Sequence, residues 1–170
     1  MSETLTIIGR PNVGKSTLFN RLSKRNLAIV DPQSGVTRDR HYSSSDWNGK
    51  KFTIIDTGGY VTGSDDKYEK EIDKQVIIAL EECDKIIFVV DVNESNNSLD
   101  KEISKILHKT NKPVLLAVNK VDKNSLINDS LEFYNLGFES LFALSAINGS
   151  GTGELLCLLY TSPSPRDLSS

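Results

Sequence analysis

The apolar run Leu5-Thr6-Ile7-Ile8 is followed directly by Gly9-Arg10-Pro11-Asn12-Val13-Gly14-Lys15-Ser16. This G-x-x-x-x-G-K-[ST] string constrains the fold more than any other feature, because it requires a strand, a tight backbone wrap and a helix N-terminus in that order. The two glycines let successive N–H groups curl around an anion, and the positive end of the following helix points at the same place. Lys15 is then set to reach the β- and γ-phosphates, and the Ser16 hydroxyl to ligate Mg²⁺. Gly9, Arg10, Pro11, Asn12, Val13, Gly14, Lys15, Ser16 and Thr17 are therefore expected to bind nucleotide, with Lys15 catalytic.

Beyond the loop, apolar runs alternate with helical periodicity, which predicts an α/β P-loop NTPase fold: a mostly parallel six-stranded sheet with helices on both faces. Strands are expected near Leu5–Ile8, His41–Trp47, Phe52–Ile55, Ile86–Val90, Val114–Val118 and Leu141–Leu144. Asn48-Gly49 predicts an antiparallel hairpin between the second and third. A helix from Lys15 turns Leu18, Phe19 and Leu22 inward. A second does so with Ile72, Val76, Ala79, Leu80 and Cys83, and a third with Leu99, Ile103, Ile106 and Leu107. A fourth is expected over Ser130–Leu136, with Asp129 as its N-cap and Gly137 closing it. The polar stretches 26–40 and 57–68 are long loops of the kind that act as switches.

Composition narrows the class. A chain of 170 residues, 38% hydrophobic, fits one globular domain, and a net charge of −3 argues against a broad basic face for nucleic acid. Two cysteines give neither a disulfide framework nor a zinc pattern. With no leader and no long apolar segment, the expectation is a cytoplasmic monomer without membrane or direct nucleic-acid contact.

Asp56-Thr57-Gly58-Gly59 ends a strand, where open α/β sheets bind ligands. Asp56 is expected to hold Mg²⁺ through water, and the Gly58-Gly59 backbone to swing toward a γ-phosphate, with Thr57 and Tyr60 beside it. Asn119-Lys120-Val121-Asp122 ends another strand. The Asp122 carboxylate can accept from both N1–H and the 2-amino group of guanine, which adenine does not offer, so the pattern selects GTP or GDP over ATP and opposes a P-loop kinase. Lys120 would lie along the base and Asn119 would tie this loop to the phosphate loop. Ser145-Ala146 would complete the pocket, with the Ala146 N–H donating to guanine O6. Thr37, in Gly35-Val36-Thr37-Arg38-Asp39, is expected to ligate Mg²⁺ and sense the γ-phosphate, a catalytic role. His41 and His108 have no partner at metal-ligand spacing, and edge or surface positions are expected.

With all five boxes in order the chain resembles translation-factor-class GTPases. GRPNVGKSTLFNRL, GVTRDR, WNGKKFTIIDTGG, VVDVNE and EFYNLGF are similar to the first GTPase domain of the Der (EngA) family of bacterial ribosome-assembly GTPases, over about Leu5 to Leu156. The resemblance implies a GTP-hydrolysing switch in maturation of the large ribosomal subunit, reached through a second G domain and a KH-like domain that are absent here. The alternatives are a nucleotide-dependent binding module of an Era-like or tRNA-modification-type GTPase, and an inactive truncated fragment. Tyr60 stands where Ras-like enzymes carry a water-orienting glutamine. Related GTPases with an asparagine at the position of Asn12 hold K⁺ there, which implies a catalytic K⁺ at Asn12. The family's D-T-P-G-V-T-R-D is replaced by Asp31-Pro32-Gln33-Ser34-Gly35 in the first loop.

The end of the chain reads differently. The G domain is expected over 1–156, with its last helix truncated, because Ser162-Pro163-Ser164-Pro165 stops any helix begun at Gly151. Residues 157–170 are expected to be a non-native tail: Cys157 to Asp167 is what a transposase adapter used in sequencing libraries encodes, codon for codon.

Overall fold

A computed structural model describes residues 3–10, 12–23, 40–47, 50–57, 74, 76–81, 83–152 and 155. The strands are β1 (Glu3–Ile8), β2 (Arg40–Trp47), β3 (Lys50–Thr57), β4 (Lys85–Asp91), β5 (Val114–Asn119) and β6 (Ser140–Ala143). They form one six-stranded sheet in the order β2-β3-β1-β4-β5-β6. Every neighbouring pair is parallel except β2 with β3, whose register runs antiparallel from Arg40 opposite Thr57 to Trp47 opposite Lys50. The hairpin pairing is thus as expected; its Asn48-Gly49 turn lies outside the described residues.

The middles of β4 and β5 are apolar runs because both faces are covered. All seven residues of β4 are buried, and alternate side chains enter opposite cores. Ile87 and Val89 join Leu18, Phe19 and Leu22 of helix α1 (Lys15–Ser23), with Leu155 in the same cluster. Ile86, Phe88 and Val90 join Val76 and Ala79 of the helical residues 76–81 (α2), and Ile103 and Leu107 of α3 (Ser98–Leu107). Cys83 is buried in that second core as expected, and Ile72 lies outside the described residues. Asn97 caps α3, its Oδ1 accepting from Leu99 N at 2.8 Å and Asp100 N at 3.4 Å. No described helix is long and apolar enough to cross a membrane.

The fourth helix differs from expectation. Asn124–Leu126 is a 3₁₀ turn, Ile127–Ser130 a single α-turn (α4), and Leu131–Leu136 a 3₁₀ helix. Asp129 lies inside α4 and caps nothing. The threefold repeat explains the geometry: Ser130, Phe133 and Leu136 fall on one line at three residues per turn, and Ser130 and Phe133 are buried while Leu136 packs at the core's margin. Gly137 closes the helix in left-handed conformation, as expected. β6 stops one residue early, at Ala143, although Leu144 N still donates to Val118 O at 2.9 Å. His108 is exposed at the end of α3, its ring stacked on Phe138 at 4.4 Å and its Nε2 2.6 Å from Leu136 O.

Candidate nucleotide-binding site

The carboxyl ends of β1, β3, β4 and β5 lie side by side, since Ile7 is in register with Asp56 and Ile87, and Asp91 with Asn119. Each strand delivers one sequence box to the same edge of the sheet. β1 runs into the loop at Gly9, and α1 opens at Lys15, which is buried, and Ser16, which is exposed.

Asn119 holds this edge together. Its Nδ2 donates to Val13 O of the phosphate loop at 2.9 Å, and its Oδ1 accepts from Ala146 N at 2.9 Å. The residue is buried, so both bonds work in a low-dielectric setting where an unmatched amide would be costly. The close approach explains Gly14: it sits at φ +95°, and a Cβ there would lie 2.1 Å from Asn119 Nδ2. The tie between the two loops is as the sequence predicts. The Ala146 N–H, expected to face guanine O6, donates to Asn119 Oδ1, because the side-chain amide that reaches the phosphate loop with one end meets the Ala146 backbone with the other.

Lys120 follows at φ +68° and sends its Nζ across the cleft to Asn12 O at 2.8 Å and to Asp91 Oδ2 at 3.0 Å. Asn12 is itself left-handed, at φ +69°. Asp91 ends β4, is buried, and also accepts from the backbone and side chain of Asn93 at 2.9 and 3.1 Å. Motif spacing alone misses Asp91, yet an acid directly after the apolar run Ile86–Val90 is a signal, since a buried carboxylate needs partners. Asp122 Oδ1 accepts from Ser145 Oγ, which fixes the plane of the carboxylate. Arg21 of α1 donates to Ala146 O and Ile147 O.

Arg10 departs from a purely phosphate-facing role. Its guanidinium is buried at the start of α3, where Nε donates to Asp100 Oδ1 at 3.1 Å, and Nη2 pairs with Glu94 in the loop before the helix. Asp100 is buried, and among the described residues its Oδ2 has no hydrogen-bond partner. Burial pushes its carboxyl up from 3.8 to about 6, against the lowering influence of Arg10. Only the backbone of Arg10 remains for the phosphate loop.

Among the other expected site residues, Asp56 and Thr57 end β3. Pro11, Thr37, Gly58, Gly59 and Tyr60 lie outside the described residues, as do both long loops apart from Arg40 and Thr57, and the tail 157–170.

Residues 4–120 match the family described as 50S ribosome-binding GTPase. GTPase Der of Christiangramia forsetii is 60% identical over 92% of this chain, and GTPase Der of Bacteroides thetaiotaomicron 51% identical over 95%. The chain spans only 36% and 37% of those two relatives. Among solved structures, a variant of Aquifex aeolicus Era bound to GDP.AlF4- superposes with a TM-score of 0.72 at 29% identity, covering 93% of this chain and 56% of that one. The G domain of the T. maritima FeoB iron transporter gives 0.68 at 26% identity, covering 94% and 98%.

Proposed function

This chain belongs to the 50S ribosome-binding GTPase family, and we propose that it is the first G domain of a Der-type protein, binding GTP and hydrolysing it to GDP and phosphate. The observation that carries the reading is the double bridge at Asn119, from Val13 O to Ala146 N. It ties the phosphate loop to the loop after β6 through one side chain. Asp122, with one oxygen held by Ser145, turns its remaining acceptors to the N1–H and 2-amino groups of guanine. Lys15 and the N–H groups at the start of α1 hold the phosphates.

Ser16, Thr37 and Asp56 would hold Mg²⁺. The donors are hard oxygens that suit this ion, and Asp56 is in register beside Ile7 of the strand feeding the loop. When bound, the metal neutralises charge on the phosphate oxygens. Asn12, on the exposed lip of the loop, would hold K⁺. Thr37 and the 57–60 backbone sense the γ-phosphate. Contact with the large ribosomal subunit, in a cytoplasmic setting, belongs in this reading to the parts of the longer relatives outside the matched region. Residues 157–170 are read as adapter-derived.

Competition of labelled GTP by unlabelled nucleotides tests the reading. GTP and GDP displace the label and ATP does not, and Asp122→Asn moves the preference toward xanthine nucleotides. Equal displacement by ATP would overturn guanine selection. Hydrolysis faster in KCl than in NaCl at equal ionic strength, with the difference lost in Asn12→Ala, supports the cation assignment, and equal rates refute it.

A further inference from the structure

Between α3 and the 3₁₀ helix at Leu131–Leu136 lies a cavity of about 270 Å³, walled by Asp100, Ser104, Phe133 and Leu136. Ser104 Oγ donates to Leu136 O at 3.1 Å and so pins one wall to the other. Lys101, Lys105 and Glu132 also line it, and all three are exposed. None of these residues comes from the strand ends that carry the nucleotide boxes.

Asp100 is the one buried charged side chain in this lining, at 2% exposure. Its Oδ1 is taken by Arg10 Nε at 3.1 Å, and among the described residues its Oδ2 has no hydrogen-bond partner. A buried carboxylate oxygen without a donor is costly, and the open space beside Asp100 is where a donor can come from. The charges joined to it do not cancel. Arg10 and Lys120 stand against Asp91, Glu94 and Asp100 in three ion pairs, which leaves one net negative charge. Burial first, and then the charges of Glu94 and Asp91, oppose ionisation of Asp100, while Arg10 favours it. One monovalent cationic donor completes the balance. Phe133 and Leu136 offer apolar wall for a short hydrocarbon body, and the described residues hold no group of three acids, histidines or cysteines able to bind a metal ion. An organic ammonium therefore suits the cavity better than a metal.

We propose that this cavity is an effector site for a small primary ammonium, whose N–H groups donate to Asp100 Oδ2 while its hydrocarbon lies on Phe133 and Leu136. The bound cation holds the Asp100 carboxylate ionised and oriented, so that Oδ1 keeps its grip on Arg10, a residue of the phosphate loop. The cavity and the phosphate site are then coupled, and the coupling is reciprocal: the ammonium tightens nucleotide binding, and nucleotide tightens binding of the ammonium. This coupling rests on the nucleotide reading of the phosphate loop, whereas the cavity site itself does not.

The probe is n-butylammonium chloride, compared at equal ionic strength with sodium chloride and at equal concentration with n-butanol, on the full 170-residue chain. Backbone amide signals of Ser104 and Phe133 shift with n-butylammonium and saturate on the order of millimolar, the range open to a five-heavy-atom ligand. They do not saturate with n-butanol. Asp100→Asn abolishes the saturable response. Ser104→Leu fills the cavity without touching the Asp100–Arg10 pair and also abolishes it, while GDP affinity without the probe stays within about twofold of wild type. In calorimetry, saturating n-butylammonium tightens GDP binding about fivefold in the wild type and in neither variant. If Ser104→Leu fails to fold by thermal melt, Asp100→Asn decides the matter. An absent saturable response means that water alone meets Oδ2 and overturns the site, as does an equal response to n-butanol or one that persists in Asp100→Asn. Saturable binding that leaves GDP affinity unchanged overturns the coupling. A chain that binds n-butylammonium but no guanine nucleotide fails the nucleotide reading and leaves the cavity site standing.

Discussion

The phosphate loop is held from two sides by different chemistry. On the base side, Asn119 joins Val13 to Ala146 with neutral amide bonds, each donor meeting an acceptor. On the outer side, Arg10 is held by a buried ion pair to Asp100, one of whose oxygens has no hydrogen-bond partner among the described residues, and by Glu94, whose side chain is 52% exposed. The first arrangement is indifferent to pH and salt. The second depends on whether one carboxyl is ionised, so the same loop has a rigid flank and a titrating one.

Asn119→Ala should have the largest effect. It orphans Val13 O and Ala146 N together, and a loss of about 3 kcal/mol in denaturant unfolding is expected, with nucleotide affinity falling at least about 100-fold. A loss confined to affinity would mean that the bridge is not structural. Asp100→Ala leaves the Arg10 guanidinium buried with only an exposed acid as partner, at a cost of about 2 kcal/mol in the same measurement. If it matched Asn119→Ala, the two flanks would be equally stiff and the contrast would fail.

The pH dependence separates the flanks more sharply. Because the folded Asp100 carboxyl titrates at about 6 and the unfolded one at 3.8, the folded state holds the extra proton between those values. Stability from this group is therefore greatest below pH 4, falls as pH rises toward 6, and is level above it. Asp100→Asn should remove that slope, seen as a wild-type-minus-variant stability difference that drops between about pH 4 and 6 and is flat beyond. Asn119→Ala should leave the slope in place. Smallest of all, Glu94→Gln should change stability by less than about 0.5 kcal/mol, because its exposed pair is screened by solvent.

Much of this architecture is legible in the chain because it is local. The strand-loop-helix order around Gly9 to Ser16, the 3.6-residue spacing in α3 and the apolar runs of β4 and β5 each dictate their element without distant help. The tie from Asn119 to the phosphate loop is legible too, since a polar residue ending a buried strand must find a partner. What the sequence hides is long-range pairing. Arg10 meets Asp100 across 90 positions and Arg21 meets Ala146 across 125, and nothing nearby announces either. The 3₁₀ helix at 131–136 is hidden for another reason: Ser130, Phe133 and Leu136 suit three residues per turn about as well as 3.6 over so short a span. The bond from the Ala146 N–H to Asn119 is hidden in the same way, because one side chain serves two loops at once.

The ring of His108 has one further consequence. A carbonyl oxygen at 2.6 Å can only accept, so Nε2 must carry hydrogen, and the neutral imidazole is locked in a single tautomer with Nδ1 as its lone-pair nitrogen. Stacked flat against Phe138, its carbon-bound protons sit in the aromatic ring current. With only two histidines in the chain, His108 is a built-in nuclear magnetic resonance probe: upfield-shifted ring signals report that the end of α3 and the 3₁₀ helix are seated together, without any label at the nucleotide site.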